Sequence, residues 1–232
     1  LRLRTHILAE TGELQKALET AHEWNRHDSN HPEASYCQAV LHSRLGEHGA
    51  AIGSARLAID LDRGHVESHL LLAEQYLFLN DDRLARRHME IACRLKPTDE
   101  ACYRLALICL RQNDVTAAEH HLNIALECNP RHLNSIIRLA MLKINEVEFH
   151  DAYRLLSEAM AFYPTFPDIQ YGLARVCLLM ERREEAYSLM HSALELNPKY
   201  SAARRELTRL CSERDASEAS EHAELGVQAN PN

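Results

Sequence analysis

Glycine and proline are scarce: seven of each stand among 232 residues, while alanine, leucine, glutamate and arginine are abundant. A sheet rich in tight turns draws heavily on the two scarce residues, so the expectation is an all-α protein with short connections. Positive charge is short as well. Lysine and arginine number 26 against 34 acids, for a net charge of −8. Generic binding to DNA or RNA rests on cations neutralising phosphates and is excluded on this balance, although a local basic strip stays open. No stretch approaches the roughly 18 uninterrupted apolar residues of a membrane span, so no membrane insertion is expected. The chain starts at Leu1 without a methionine, a charged n-region or an h-region, which reads as a segment of a longer protein from which any targeting signal has been removed.

The recognisable devices of chemistry are missing too. There is no HExxH, no CxxC, no glycine-rich phosphate loop, no GxSxG elbow and no consistent carboxylate pair. Fifteen histidines invite a metal reading, but His65 and His69 lie four apart and His120 and His121 are adjacent, with no cysteine–histidine pattern to complete three or four ligands. Seven cysteines is an odd number, and Cys37, Cys93, Cys102, Cys109, Cys128, Cys177 and Cys211 are scattered without a paired framework. Cys102 and Cys109 share a helix face two turns apart, too far for a disulfide. Most of these cysteines take the place of small apolar residues at helical positions, which suits a reducing compartment and a cytoplasmic location. The expectation is a protein that is not an enzyme and binds no cofactor and no metal.

What is present is a core-forming composition, 46% hydrophobic, and a period. Ala39, Ala73, Ala106, Ala140 and Ala174 follow one another at intervals of 34, 33, 34 and 34 residues. The same intervals separate Ala51, Ala85, Ala118, Ala152 and Ala186, and again Ala58, Ala92, Ala125, Ala159 and Ala193. A fourth column runs Pro97, Pro130, Pro164 and Pro198, preceded by Ser29 and Arg63. Periods of this length mark a repeat architecture. Each unit carries two helical stripes. In one, Leu72, Ala73 and Tyr76 share a face, Asn80 and Asp81 break the helix, and Leu84, Ala85, Ala92 and Leu95 form a second stripe before Pro97. Thr98 or Asp99 then starts the next helix as an N-cap. Alanine recurs because helices that cross closely tolerate only a small side chain there.

These units resemble tetratricopeptide repeats, as in LALICLRQNDVTAAEHHLNIALECNP from Leu105 to Pro130 and LARVCLLMERREEAYSLMHSALELNP from Leu173 to Pro198. The family's early tryptophan is absent, and its usual tyrosine stands only at Tyr76, with His42, Cys109, Lys143 and Cys177 in the equivalent places. The resemblance implies an α-solenoid, a right-handed superhelix of about seven stacked helix-turn-helix units forming one continuous domain. A truncated first repeat covers 1–31, repeats follow at 32–65, 66–98, 99–132, 133–166 and 167–200, and a degenerate last unit spans 201–232. In that last unit Ala219, Ala223 and Val227 keep a narrow apolar stripe suited to capping the stack.

In such a fold the first helices line an inner surface, and the resemblance implies that a partner peptide or helix lies there. The non-core face of each first helix gives Tyr36 and Val40, then Leu70, Glu74, Leu77 and Phe78, then Tyr103, Leu107 and Leu110. It continues with Ile137, Met141 and Ile144, then Tyr171, Arg175, Leu178 and Leu179. Tyr36, Leu70, Tyr103, Ile137 and Tyr171 occupy one equivalent position, and a continuous apolar patch suits an interaction surface. Helical stripes alone do not separate an inner wall from core. Arg104, Arg138 and Arg175 form a secondary strip, read either as forks for a partner's acid or as solvated partners of Glu100 and Asp168. Places where chaperone-binding members of the family resemble one another in a lysine–asparagine clamp hold Tyr36, Val40, Leu71, Glu100 and Arg104, so that partner class is not favoured. The function expected is a non-catalytic scaffold or adaptor that binds a protein or peptide in its concave groove, in the assembly of a larger complex. The alternatives are a homo-oligomerisation module, or the regulatory repeat domain of a larger enzyme, transcription regulator or bacterial pilus or secretion assembly factor.

Overall fold

The structure, a computed structural model, describes residues 1–212, and its regular elements are all helical, with no strand among the described residues. In chain order they are α1 (Arg2–Glu10), α2 (Leu14–His27), α3 (Pro32–Arg44), α4 (His48–Leu61), α5 (Val66–Phe78) and α6 (Asp82–Leu95). There follow α7 (Asp99–Arg111), α8 (Val115–Cys128), α9 (Leu133–Asn145), α10 (Phe149–Phe162), α11 (Pro167–Leu179) and α12 (Arg183–Leu196). A last helical stretch, α13, occupies 201–212. The capping stripe expected at Ala219, Ala223 and Val227 lies outside the described residues.

Contacts divide the chain into two compact units, 1–132 with α1 to α8, and 133 onward with α9 to α13. Within the first, α1/α2, α3/α4, α5/α6 and α7/α8 are hairpins, and α2 packs on α3, α4 on α5 and α6 on α7. Within the second, α9/α10 and α11/α12 are hairpins and α10 packs on α11. The chain has the helical-hairpin repeat fold of tetratricopeptide proteins.

The turn inside every hairpin is one device used six times. The residue after the first helix's C-cap adopts a left-handed conformation: Gly12, Gly46, Asn80, Asn113, Val147 and Glu181 have φ between 57° and 82°. That twist lets the Asp81 N–H donate to the Tyr76 carbonyl at 2.8 Å and the Asn80 N–H to the Leu77 carbonyl at 3.0 Å. Two carbonyls that the helix end would leave unpaired are thereby satisfied. The second helix begins at once, and the side chains of Asp81 and Asp114 cap it by accepting from Leu84 N–H at 3.0 Å and Ala117 N–H at 3.2 Å. Between hairpins, α6 stops one residue short of the Lys96–Pro97 pair, because the residue before a proline is pushed out of the helical region. Thr98 then caps α7, its hydroxyl accepting from Ala101 N–H at 3.2 Å.

All three alanine columns are sealed, every member being 0% exposed except Ala140 at 1%. Leu72, Ala73 and Tyr76 are buried as the stripe predicts. Leu95 is not: it is 48% exposed, because as the last residue of α6 it has no further turn to carry it into the core. Polar clasps join neighbouring hairpins. Gln75 of α5 donates to Ser43 Oγ at 2.8 Å and pairs with His48 Nδ1 at 2.8 Å, reaching both helices of the preceding hairpin. Arg86 of α6 holds Asp114 at 2.8 Å, which keeps that carboxyl below the usual carboxylate range.

His69 of α5 and His88 of α6 face one another, Nδ1 to Nδ1, at 3.1 Å. The Arg63 carbonyl, 3.3 Å from His69 Nε2, can only accept, so that nitrogen carries the proton and His69 Nδ1 accepts from His88. The His69 ring is therefore neutral. Burial, with His69, Arg87 and Arg56 nearby, holds His88 down to about 4, and burial lowers His69 as well.

Two predictions follow from these features. Val147 is β-branched, carries φ of 66° and is 69% exposed, so it is strained and packs little. Val147→Asn, the residue used at the equivalent turns of α5/α6 and α7/α8, should stabilise the fold by about 1 kcal/mol, read as a higher urea midpoint; a lower midpoint contradicts the strain. For His88, the unfolded chain takes up a proton below about pH 6.5 and the folded chain only near 4. Stability is thus full above pH 6.5 and lost as pH falls towards 4. Between pH 7 and 5 the loss should be smaller in His88→Phe than in the wild type by about 1 kcal/mol after allowing for partial solvation. Equal losses in urea titrations at the two pH values would remove the assignment.

Candidate functional site

The residues proposed from the sequence as the contact face lie on the first helices, which follow one another as α3, α5 and α7 in the first unit and as α9 and α11 in the second. Tyr36, Leu70 and Tyr103 of the first unit are half-buried, as are Ile137 and Tyr171 of the second. Each tyrosine of this column rests on the residue that leads into the next first helix. The Tyr36 ring lies 5.2 Å from His65, the N-cap of α5, and the Tyr103 ring lies 5.3 Å from His132 in an edge-on arrangement. In the second unit Tyr171 stands 5.2 Å from Tyr200. One part of each ring is thus covered by that residue and the rest stays open to solvent. Desolvation, helped by Glu67 and Glu74, pushes the Tyr36 hydroxyl up.

This lead-in column, His31, His65, Thr98, His132, Phe166 and Tyr200, recurs at the repeat period and belongs to the site's architecture. Read one residue at a time, its histidines look like unrelated surface groups. Their spacing was the signal. His65 is 7% exposed, and its Nδ1 accepts from Ser68 N–H at 3.2 Å to cap α5.

One turn further along the same faces stand Val40, Glu74, Leu107, Met141 and Arg175. Val40 and Leu107 are half-buried, Met141 is 42% exposed, and Glu74 and Arg175 are exposed. Arg104 is committed: its guanidinium pairs with Glu74 of α5 and, at 2.5 Å, with Glu100 of its own helix. Arg138 is half-buried. Leu77 is half-buried too, whereas Phe78, at 65% exposure, stacks on His48 at the start of α4 with 3.8 Å between ring centres. Phe78 therefore joins the end of its hairpin to the preceding one at the turn side.

Tyr36 and Val40 are brought together in a cavity of about 500 Å³ between α1 and α3. Leu3, Ala9 and Leu41 supply apolar walls, and Arg2 and Arg44 supply cations beside the single acid Glu10. The contribution of α1 was not foreseen from the sequence, because its nine residues lack the alanine register of the later first helices. Aliphatic and aromatic walls with a cationic border offer apolar contact and attraction for carboxylates. Among the described residues no three histidine, cysteine, aspartate or glutamate side chains converge as a metal site, and no helix is long and apolar enough to cross a membrane.

Solved structures of similar fold bear on this arrangement. YrrB, described as a tetratricopeptide protein with an unusual peptide-binding site, superposes with a TM-score of 0.71 at 18% identity, covering 82% of this chain and 98% of its own. PilW, described as a widely conserved type IV pilus biogenesis factor, gives 0.59 at 20% identity over 86% of this chain and 93% of its own. MamA from Desulfovibrio magneticus RS-1 gives 0.59 at 17% identity over 71% of this chain and 93% of its own. Such identities establish a shared fold alone. Comparison with curated protein sequences finds no match. Residues 107–225, just over half of the chain, match the family described as the coatomer epsilon subunit, and the chain belongs to that family of tetratricopeptide-like helical proteins.

Proposed function

We propose that this chain is a non-catalytic scaffold that holds an apolar peptide or amphipathic helix of another protein on the open faces of its first helices. The observation that carries the reading is the cavity between α1 and α3. Its volume of about 500 Å³ falls within the roughly 300–1,000 Å³ typical of ligand clefts, and it joins two members of the contact face, Tyr36 and Val40, in one concave site. Apolar walls favour a bulky aliphatic or aromatic side chain, and Arg2 and Arg44 favour a carboxylate beside it. The peptide-binding site for which YrrB is described supports the same use of this fold. Seven cysteines without a disulfide framework support a reducing, cytosolic setting.

An alternative reading, self-association, is favoured by Leu3 and Ile7 of α1, which are 71% and 52% exposed. The two readings separate by experiment. Val40→Glu places a charge on the cavity wall at a half-buried position, where the side chain still reaches solvent. Proteins retained from native lysate by the wild type should be depleted at least tenfold with Val40→Glu, at unchanged helical circular dichroism and with a monomeric mass by light scattering. Equal recovery with both proteins would end the cavity reading. A dimeric wild type that turns monomeric in Leu3→Glu would replace it by self-association.

A further inference from the structure

The arginines of α6 and α7 divide into two sets. Arg86 holds Glu90 and Asp114, each at 2.8 Å, Arg104 pairs with Glu74 and Glu100, and Arg111 pairs with Asp82 at 3.0 Å. The outer face of α6 carries the other set. Arg83, Arg87 and Arg94 are exposed and stand four and seven residues apart, so they fall within about 40° of one line and run about 16 Å along the helix. Neither Arg83 nor Arg87 enters an ion pair or a hydrogen bond among the described residues, and Arg94 reaches only the Glu90 carbonyl, at 3.4 Å. Glu90, the one acid on that line, is turned to Arg86.

Such a stripe works against its own helix. Like charges four residues apart repel, and Arg83, in the first turn, sits at the positive end of the helix dipole. The acids that could relieve it there are engaged: Asp81 accepts from Leu84 N–H at 3.0 Å and Asp82 pairs with Arg111. At the equivalent positions of the flanking second helices stand Gly49 and Gly53 of α4, with open space beyond them, and Thr116 and His120 of α8, none of them an acid. Asp60 and Glu127 are the equivalents of Arg94, so uncommitted positive charge concentrates at Arg83 and Arg87. An apolar edge runs beside the stripe: Ile91 is half-buried and Leu95 48% exposed, and Leu57 and Leu61 repeat the edge on α4 at 43% and 36%.

We propose that this face of α6 is a docking surface for an acidic amphipathic helix of a partner protein, separate from the cavity between α1 and α3. Carboxylates four residues apart on that helix accept from the Arg83 and Arg87 guanidiniums, whose planar forks suit a carboxylate, and an apolar row beside them covers Ile91 and Leu95. Charge complementarity selects this occupant. Nucleic acid and an anionic membrane offer negative charge over a wide area, and the net charge of −8 repels both, whereas a single helix meets the stripe and little else. Exposed ion pairs add little one by one, so the binding is weak, salt-dependent and reliant on the two arginines acting together.

The test follows the fluorescence anisotropy of a labelled probe, four Glu-Ala-Ala-Leu units joined into one helical peptide, titrated with the full chain. Wild type should bind it at about 20 mM salt and lose most of that binding at about 200 mM. Arg83→Glu combined with Arg87→Glu should weaken binding at least tenfold at unchanged helical circular dichroism, and should gain at least tenfold in affinity for a probe of Lys-Ala-Ala-Leu units. That gain is a signal which a misfolded variant does not give. Val40→Glu should bind the acidic probe as the wild type does. No binding by the wild type, equal binding by the doubly reversed variant, or loss with Val40→Glu would overturn the proposal. So would wild type that sediments with phosphatidylserine vesicles and leaves the acidic probe free, since the partner is then a membrane.

Discussion

Close approach of helix backbones through small side chains is the constraint on which everything else here depends. Three alanine columns with a 33 or 34 residue period are sealed from solvent, and each marks a crossing where a larger residue would force the helices apart. Such a crossing buries little apolar area per residue, so a lone hairpin lacks the means to offset its conformational entropy and must lean on its neighbour. The polar clasps show the same economy. Gln75 with Ser43 and His48, and Arg86 with Asp114, each reach into an adjacent hairpin and fix the register of packing that alanine, lacking shape, leaves loose.

A narrow packing seam leaves first helices with apolar surface to spare, and the structure divides that surface between two uses. Tyr36 and Tyr103 lend part of each ring to His65 and His132 within the first unit, and Tyr171 does so to Tyr200 within the second. Arg104 is taken up by Glu74 and Glu100. Contact chemistry that remains uncommitted gathers where a first helix faces a neighbour across a gap, as α3 does with α1, or where a side chain stands clear of packing, as Met141 does. A substitution at a tyrosine of the column therefore disturbs packing and surface together, whereas Val40 and Met141 report on the surface more cleanly.

The hairpins were legible in the sequence because their rules are local. Asn80–Asp81 marked a helix end, Thr98 a helix start, and the alanine period the packing seam. Val147 and Glu181 hold the same left-handed turn as Gly12 and Asn80, but their side chains give no hint of it, since the turn is imposed by the flanking helices and tolerated as strain. Leu95 fits the stripe of α6 and yet is exposed, because periodicity records direction around a helix and not whether a neighbour extends that far. The contact face was legible only as a stripe. Its lead-in column is hidden because His65, Thr98 and His132 differ in residue type, and the cavity because α1 does not share the alanine register.

In a repeat stack every hairpin touches only its neighbours, so a perturbation travels by successive contacts and weakens where packing is loose. Within the first unit α5 is tied to α7 through the Glu74–Arg104 pair and to α3 through Gln75 and Ser43, and α3 forms a wall of the cavity at Tyr36 and Val40. The coupling that this chain of contacts permits is mechanical and short-ranged, a matter of small shifts between helices whose alanine seams leave little slack.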